Sequence, residues 1–166
     1  MALISHRIVG IDPGTYRLGV GCIQKHGNEL SLVNAVTIEA SIKLSIYDRI
    51  AAIIEEMELL LDQFAPKEVA IENPFFAKNA KSAFQLGLAR GMAITLCLKR
   101  KIKIFEYTPT QVKSTVTGYG RADKAQVKKM VGLSLGRLEN MNFDATDALA
   151  VALCHAHTHR WAVGKT

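Results

Sequence analysis

Cysteine is scarce in this 166-residue chain: Cys22, Cys97 and Cys154 are far apart, odd in number and show no CxxC spacing. That pattern gives neither a disulfide framework nor a zinc set, and it fits buried, reduced thiols in a cytoplasmic protein. Long hydrophobic runs are also missing. No apolar stretch is long enough to span a bilayer, and Met1 is not followed by the charged-then-apolar pattern of a secretory signal, so no membrane association is expected. There is no internal repeat and no low-complexity linker. Acidic residues are in deficit, 15 Asp and Glu against 21 Lys and Arg, for a formal charge of +6. A polyanionic partner is consistent with that balance, although many basic enzymes share it. What is present is a globular composition, 49% hydrophobic, in a chain long enough for one core. One domain over residues 1–157 is expected, with a polar tail over 158–166.

The chain is organised around Arg7-Ile8-Val9-Gly10-Ile11-Asp12, a short apolar segment ending in a carboxylate and stopped by Pro13-Gly14. Ile8, Val9 and Ile11 suit a buried strand, and proline with glycine ends it. An Asp-Pro-Gly turn can serve only to reverse the chain. It can also hold Asp12 at the rigid end of a strand. Residues 17–22 then read as a returning strand, residues 24–28 as a polar turn and residues 30–39 as a third strand, together an antiparallel meander. Residues 45–64 carry apolar side chains at Ile46, Ile50, Ile53, Ile54, Met57, Leu60 and Leu61, one face of a helix, which Pro66 ends. Glu68-Val69-Ala70-Ile71-Glu72 is a second apolar strand running into an acid, closed by Pro74. A crossover helix makes it parallel to a strand of the first group. If the two strands are neighbours, Asp12 and Glu72 share one sheet end.

A long helix is expected over residues 78–100. Ala83, Gly87, Gly91 and Thr95 recur every fourth residue as a stripe of small side chains. Glycine inside a helix costs about 1 kcal/mol relative to alanine, so the stripe implies close packing, either on the protein's own sheet or against a second subunit. Lys99, Arg100, Lys101 and Lys103 form a basic cluster ahead of a fifth strand, residues 102–107. Thr108 caps a helix with Pro109 at its first position, residues 118–121 break it, and Asp123 caps a helix over 124–135. Lys113, Arg121, Lys124, Lys128 and Lys129 make this region basic. They read as a solvated face, or, with Tyr119 on a glycine-bounded loop, as a grip on a phosphate backbone.

The last helix is almost wholly apolar from Phe143 to Leu153 except for Asp144 and Asp147, three apart and on one face. Asp144 can be a helix cap. Asp147 cannot be the same cap, and on a helix that packs on the sheet it needs an Arg, a backbone group or a metal as partner. Four carboxylates brought together repel: two unit charges 5 Å apart cost roughly 3 kcal/mol at an effective dielectric near 20. A divalent cation reverses the sign. Oxygen-only ligands suit Mg²⁺ or Mn²⁺, and two such ions can activate water and stabilise the leaving oxygen in phosphodiester hydrolysis. His155, His157 and His159 resemble a metal site at first sight. However, 157 leaves the face that 155 and 159 share on a helix, so a frayed polar C-terminal turn is the expectation.

Taken in order, Ile11-Asp12-Pro13-Gly14, Ile71-Glu72-Asn73-Pro74-Phe75, Ala77-Lys78-Asn79-Ala80, Leu88-Ala89-Arg90-Gly91, Gln111-Val112-Lys113 and residues 144–150 resemble the RuvC-type Holliday junction resolvases. The resemblance runs through nearly the whole chain. It implies an α/β, RNase H-like fold with a five-stranded mixed sheet flanked by helices, and a homodimer. It implies paired, Mg²⁺-dependent nicking of four-way DNA junctions in recombination and repair, with two ions per subunit, Mn²⁺ able to substitute, and a branch-migration motor complex as partner. The metal-binding catalytic acids it implies are Asp12, Glu72, Asp144 and Asp147. Phe75 would stack on bases at the crossover, Lys113 and Lys124 would contact DNA near the cut, and Lys78 and Arg121 join them as DNA-binding residues. The RNase H-like fold also hosts ribonucleases and sugar kinase-like ATPases, so fold alone does not decide function. An ATPase of that kind needs two glycine-rich phosphate loops and a second lobe, which this chain lacks. A nuclease for another nucleic acid structure and a non-catalytic junction binder remain as alternatives.

Overall fold

Alternation in the strands decides which side chains reach which face. In the computed structural model, which describes residues 5–73, 79–136 and 141–159, β1 (Ser5–Asp12), β2 (Arg17–His26) and β3 (Glu29–Glu39) form the expected antiparallel meander. α1 (Ile46–Phe64) crosses over, and β4 (Glu68–Glu72) returns parallel to β1, with Val9 opposite Val69 and Ile11 opposite Ile71. α2 (Ala80–Lys99) leads to β5 (Lys103–Tyr107), parallel to β4. The five-stranded mixed sheet has the order β3-β2-β1-β4-β5. α3 (Pro109–Thr117), α4 (Lys124–Leu135) and α5 (Phe143–Thr158) follow.

The sheet separates two cores. Val9, Ile11, Val20, Val69 and Ile71 face α1 and α2, where Ile53, Met57, Leu61, Ala93 and Leu96 are buried against them. Ile8, Ile23 and Ala70 face the other way, onto α3, α4 and α5. The three thiols are buried and unpaired with one another. With period 2, Asp12 shares its face with Ile8, and Glu72 shares its face with Ala70. Both strand-end acids therefore project toward α5.

Local chemistry sets the helix ends. Ser45 accepts from the Asp48 amide and opens α1, and Ala65 ends it in the left-handed region at φ 44°. Thr108 with Gln111 and Asp123 with Gln126 each form a reciprocal capping box, so α3 and α4 start where the sequence places them. Gly118 ends α3 at φ 76°, a conformation glycine adopts without steric cost. The small-residue stripe of α2 does not pack on the sheet: Ala83, Gly87, Gly91 and Thr95 are all exposed, and a Cβ added at Gly87 or Gly91 would meet nothing within 4 Å. The cluster at Lys99 and Arg100 is answered by α1, through Arg100 Nε to Asp62 Oδ1 at 2.8 Å and Lys99 Nζ to Glu58 Oε1 at 3.6 Å. No helix among the described residues is long and apolar enough to cross a membrane.

The C-terminal histidines do not form a frayed turn. α5 continues to Thr158, and His155 is fully buried. Its Nε2–H donates to Glu68 Oε2 at 2.9 Å, and its Nδ1 accepts from the Tyr107 hydroxyl at 2.8 Å, so both ring nitrogens are used by a neutral imidazole. Phe105 and His159 pack on the same ring. Burial outweighs helical fraying here because a partnered polar group on the core side holds the last turn down.

Candidate active site

Three elements bring four acids to one end of the sheet. Asp12 ends β1, one residue past the Ile11–Ile71 pair, and Glu72 ends β4 beside it. The chain after Glu72 stays on the sheet, because the Asn73 amide donates to the Tyr107 carbonyl at 2.8 Å. Asn73 Nδ2 also donates to Glu106 at 3.4 Å, and Arg90 of α2 forms an ion pair with the same carboxylate. Glu72 therefore has little backbone freedom.

α5 supplies the other two acids, and glycines set its depth. Asn142 is its N-cap, accepting from the Ala145 amide at 3.1 Å, so Asp144 and Asp147 lie in the first turns without capping them. A Cβ built on Gly10 would fall 1.9 Å from the Ala148 carbonyl oxygen, and one on Gly21 would meet Leu149 at 2.8 Å. Gly10 and Gly21 are cross-strand partners, as are Asp12 and Gly19. The helix backbone thus lies directly on bare strand backbone, and its first turn reaches the level of Asp12.

Asp12, Glu72 and Asp147 line one cavity of about 250 Å³, with Pro109, Val112, Lys113, Lys124, Val127 and Ala150 as the remaining wall. Asp144 is half-buried beside it. Burial, then the charges of Glu72, Asp147 and Asp144, push the Asp12 carboxyl up to about 8. Glu72 is raised for the same reasons, burial first and Asp147 second. Lys124 opposes this: its Nζ donates to Asp147 Oδ2 at 2.8 Å. Among the described residues no three His, Cys, Asp or Glu side chains are grouped closely enough to ligate one ion as they stand. The chemistry of the site nevertheless fits a hard divalent cation. Its donors are carboxylate oxygens only, and a cation would relieve both the burial of the Asp12 charge and its repulsion by Glu72, Asp147 and Asp144.

Among the expected DNA-contacting residues, Lys113 and Lys124 stand in the cavity wall, and Arg121 is exposed in the turn before α4. Phe75 and Lys78 lie outside the described residues. One part of the site and one buried network outside its cavity leave little trace in the sequence. One is the glycine bed of α5, whose signal was the spacing of Gly10, Gly19 and Gly21 on one face of β1 and β2. The other is the Glu68–His155–Tyr107 chain, which joins β4, α5 and β5 and leaves no local pattern.

Comparison with known proteins points to one family. The family model described as Crossover junction endodeoxyribonuclease RuvC matches residues 8–155. A curated protein of that name from Ruminiclostridium cellulolyticum is 46% identical over 157 residues, covering 92% of this chain and 93% of that one. A solved structure of Thermus thermophilus RuvC in complex with a Holliday junction substrate superposes with a TM-score of 0.85 at 31% identity, over 91% of this chain and 93% of that one. A yeast mitochondrial Holliday junction resolvase, at 13% identity and a TM-score of 0.63, shares the fold.

Proposed function

The chain belongs to the RuvC family of crossover junction endodeoxyribonucleases, and on that premise we propose how its residues divide the work. It is a metal-dependent endonuclease that resolves Holliday junctions in recombination and repair. The observation that supports our assignment of its centre is the convergence of Asp12, Glu72 and Asp147 on one cavity, with Asp144 close enough to raise Asp12.

In this reading Asp12, Glu72, Asp144 and Asp147 hold Mg²⁺, two ions per subunit, and Mn²⁺ can substitute. The metal supplies an activated water and charge stabilisation at the leaving oxygen when bound. The chain's own part is to fix four carboxylates on strand ends and a first helical turn, so that little reorganisation remains. Val112, Val127 and Ala150 give the cavity an apolar floor that strengthens charge interactions inside it. Lys113, Lys124 and Arg121 contact phosphates on either side of the cut. Phe75 stacks on bases at the crossover, and Lys78 joins the grip.

A four-way junction needs two strands of like polarity cut, and one acid centre cuts one strand. A two-fold homodimer presents the centre twice at a fixed separation. The exposed stripe of Ala83, Gly87, Gly91 and Thr95, with open space above both glycines, is our candidate for the subunit contact. Residues 1–157 form one nuclease domain, and the protein works in the cytoplasm, receiving junctions from a branch-migration motor. A cleavage assay in Mg²⁺ on a four-way junction, a linear duplex and an RNA–DNA hybrid tests the reading. Paired nicks confined to the junction are expected, and equal cleavage of the hybrid or duplex would refute it.

A further inference from the structure

The acid cavity already contains a cation, and it belongs to the chain. Lys124 Nζ sits 2.8 Å from Asp147 Oδ2, and its charge opposes the mutual repulsion of Asp12 and Glu72. The lysine lines the cavity without being buried in it. Its side chain is 63% exposed while that of Asp147 is 21% exposed, so the ammonium reaches in from solvent on a long stem. The root of that stem is fixed, because Lys124 is the first residue of α4, directly after the N-cap Asp123 and within its capping box with Gln126. In the same position the tip lies near the half-exposed ring of Phe143, whose centroid is 5.9 Å from Lys124 Nζ and 5.3 Å from Lys128 Nζ. An aromatic face at this distance attracts an ammonium without desolvating it fully.

We propose that Lys124 is a built-in counter-ion of the acid centre, displaced from Asp147 by a divalent metal and thereby released to a DNA phosphate, so that metal and junction bind with positive coupling. This rests on the reading that the four acids hold the metal. An ammonium and a divalent ion at one carboxylate repel each other, and the ion with two charges is the stronger partner for oxygen. Lysine suits an exchanging role better than arginine, since it is a compact, hydrated point charge on a flexible stem, whereas arginine grips a carboxylate bidentately. Coupling between two ligands is reciprocal. Whatever metal adds to junction affinity through Lys124, the junction adds to metal affinity.

The test is calorimetric titration of Mg²⁺ into the full DNA-free chain and into Lys124→Met, Lys124→Arg and Asp147→Asn. It is joined to junction binding, measured by fluorescence anisotropy with Ca²⁺ and with chelator. Lys124→Met should bind Mg²⁺ about two- to fivefold more tightly, the scale of one partly exposed ion pair, while Lys124→Arg should bind it no more tightly than wild type. The gain in junction affinity on adding Ca²⁺ should shrink in Lys124→Met. Equal or weaker Mg²⁺ binding by Lys124→Met, with binding lost in Asp147→Asn, would overturn the counter-ion role and leave the metal centre standing. Undiminished Mg²⁺ binding by Asp147→Asn would overturn both.

Discussion

A Cβ placed on Gly19 would lie 2.1 Å from the carbonyl oxygen of Asp144. Gly19 is the cross-strand partner of Asp12. One glycine therefore sets how closely the first turn of α5, with its acids, approaches the acid at the end of β1. Gly19→Ala must push the helix start outward. Overpacking against backbone costs on the order of 1–3 kcal/mol, so the melting temperature should fall by several degrees, with a larger loss in cleavage than in junction binding. Thermal unfolding and single-turnover cleavage check this; a variant as active as wild type would show that the close approach is not needed.

Much of this arrangement was legible in the sequence. Asp12 and Glu72 each end an apolar run closely followed by a proline, and the crossover helix makes their strands parallel, so a shared sheet end needed only that the strands be neighbours, which the β1–β4 pairing supplies. The Thr108 and Asp123 caps follow from local hydrogen bonding, which sequence encodes directly. The glycine bed was not legible in the same way. A glycine inside a strand reads as a weak point until the element resting on it is known, and that is a tertiary fact. His155 was misread for the same reason, since its partners Glu68 and Tyr107 are 87 and 48 residues away in the chain.

Burial holds the His155 imidazole below its ordinary value, although Glu68 raises it in part, and His159 and His6 add repulsion. A histidine depressed in the folded state contributes stability above its unfolded value, about 6.5, and that stability is lost as pH falls through the folded value. His6 is shifted the same way, again chiefly by burial, between Glu68, Lys67 and Lys25. Between pH 7 and pH 5 the two histidines thus withdraw stability, against the opposite trend of Asp12 and Glu72, whose raised carboxyls gain stability as pH falls. His155→Phe should lose roughly 3 kcal/mol at pH 7 by leaving Glu68 and the Tyr107 hydroxyl without their partner, and that deficit should narrow toward pH 5. A parallel pH profile would remove His155 from this role.

Lys113 in the cavity wall and Arg121 in the turn before α4 should each make one phosphate contact. Lys113→Ala and Arg121→Ala should weaken junction binding and reduce the slope of log affinity against log salt by about 0.9 each. Wild-type slopes in a salt titration would assign both residues to the solvated surface.

Open space above Gly87 separates assembly from folding. Gly87→Leu should leave the monomer intact or firmer, by up to about 1 kcal/mol of helix propensity, while blocking close approach of a second helix. Light scattering should find a wild-type dimer and a folded monomeric variant that has lost paired cutting. A dimeric variant would clear the stripe of the contact.

The central claim is that the acids serve the metal and the lysines serve the DNA. It is tested most directly by measuring cleavage and binding of one four-way junction by Asp12→Asn and Asp147→Asn in Mg²⁺. Cleavage should fall about a thousandfold or more, the scale of several kcal/mol of transition-state stabilisation, while the junction dissociation constant stays within a few-fold of wild type. Cleavage at the wild-type rate by either variant would contradict the assignment.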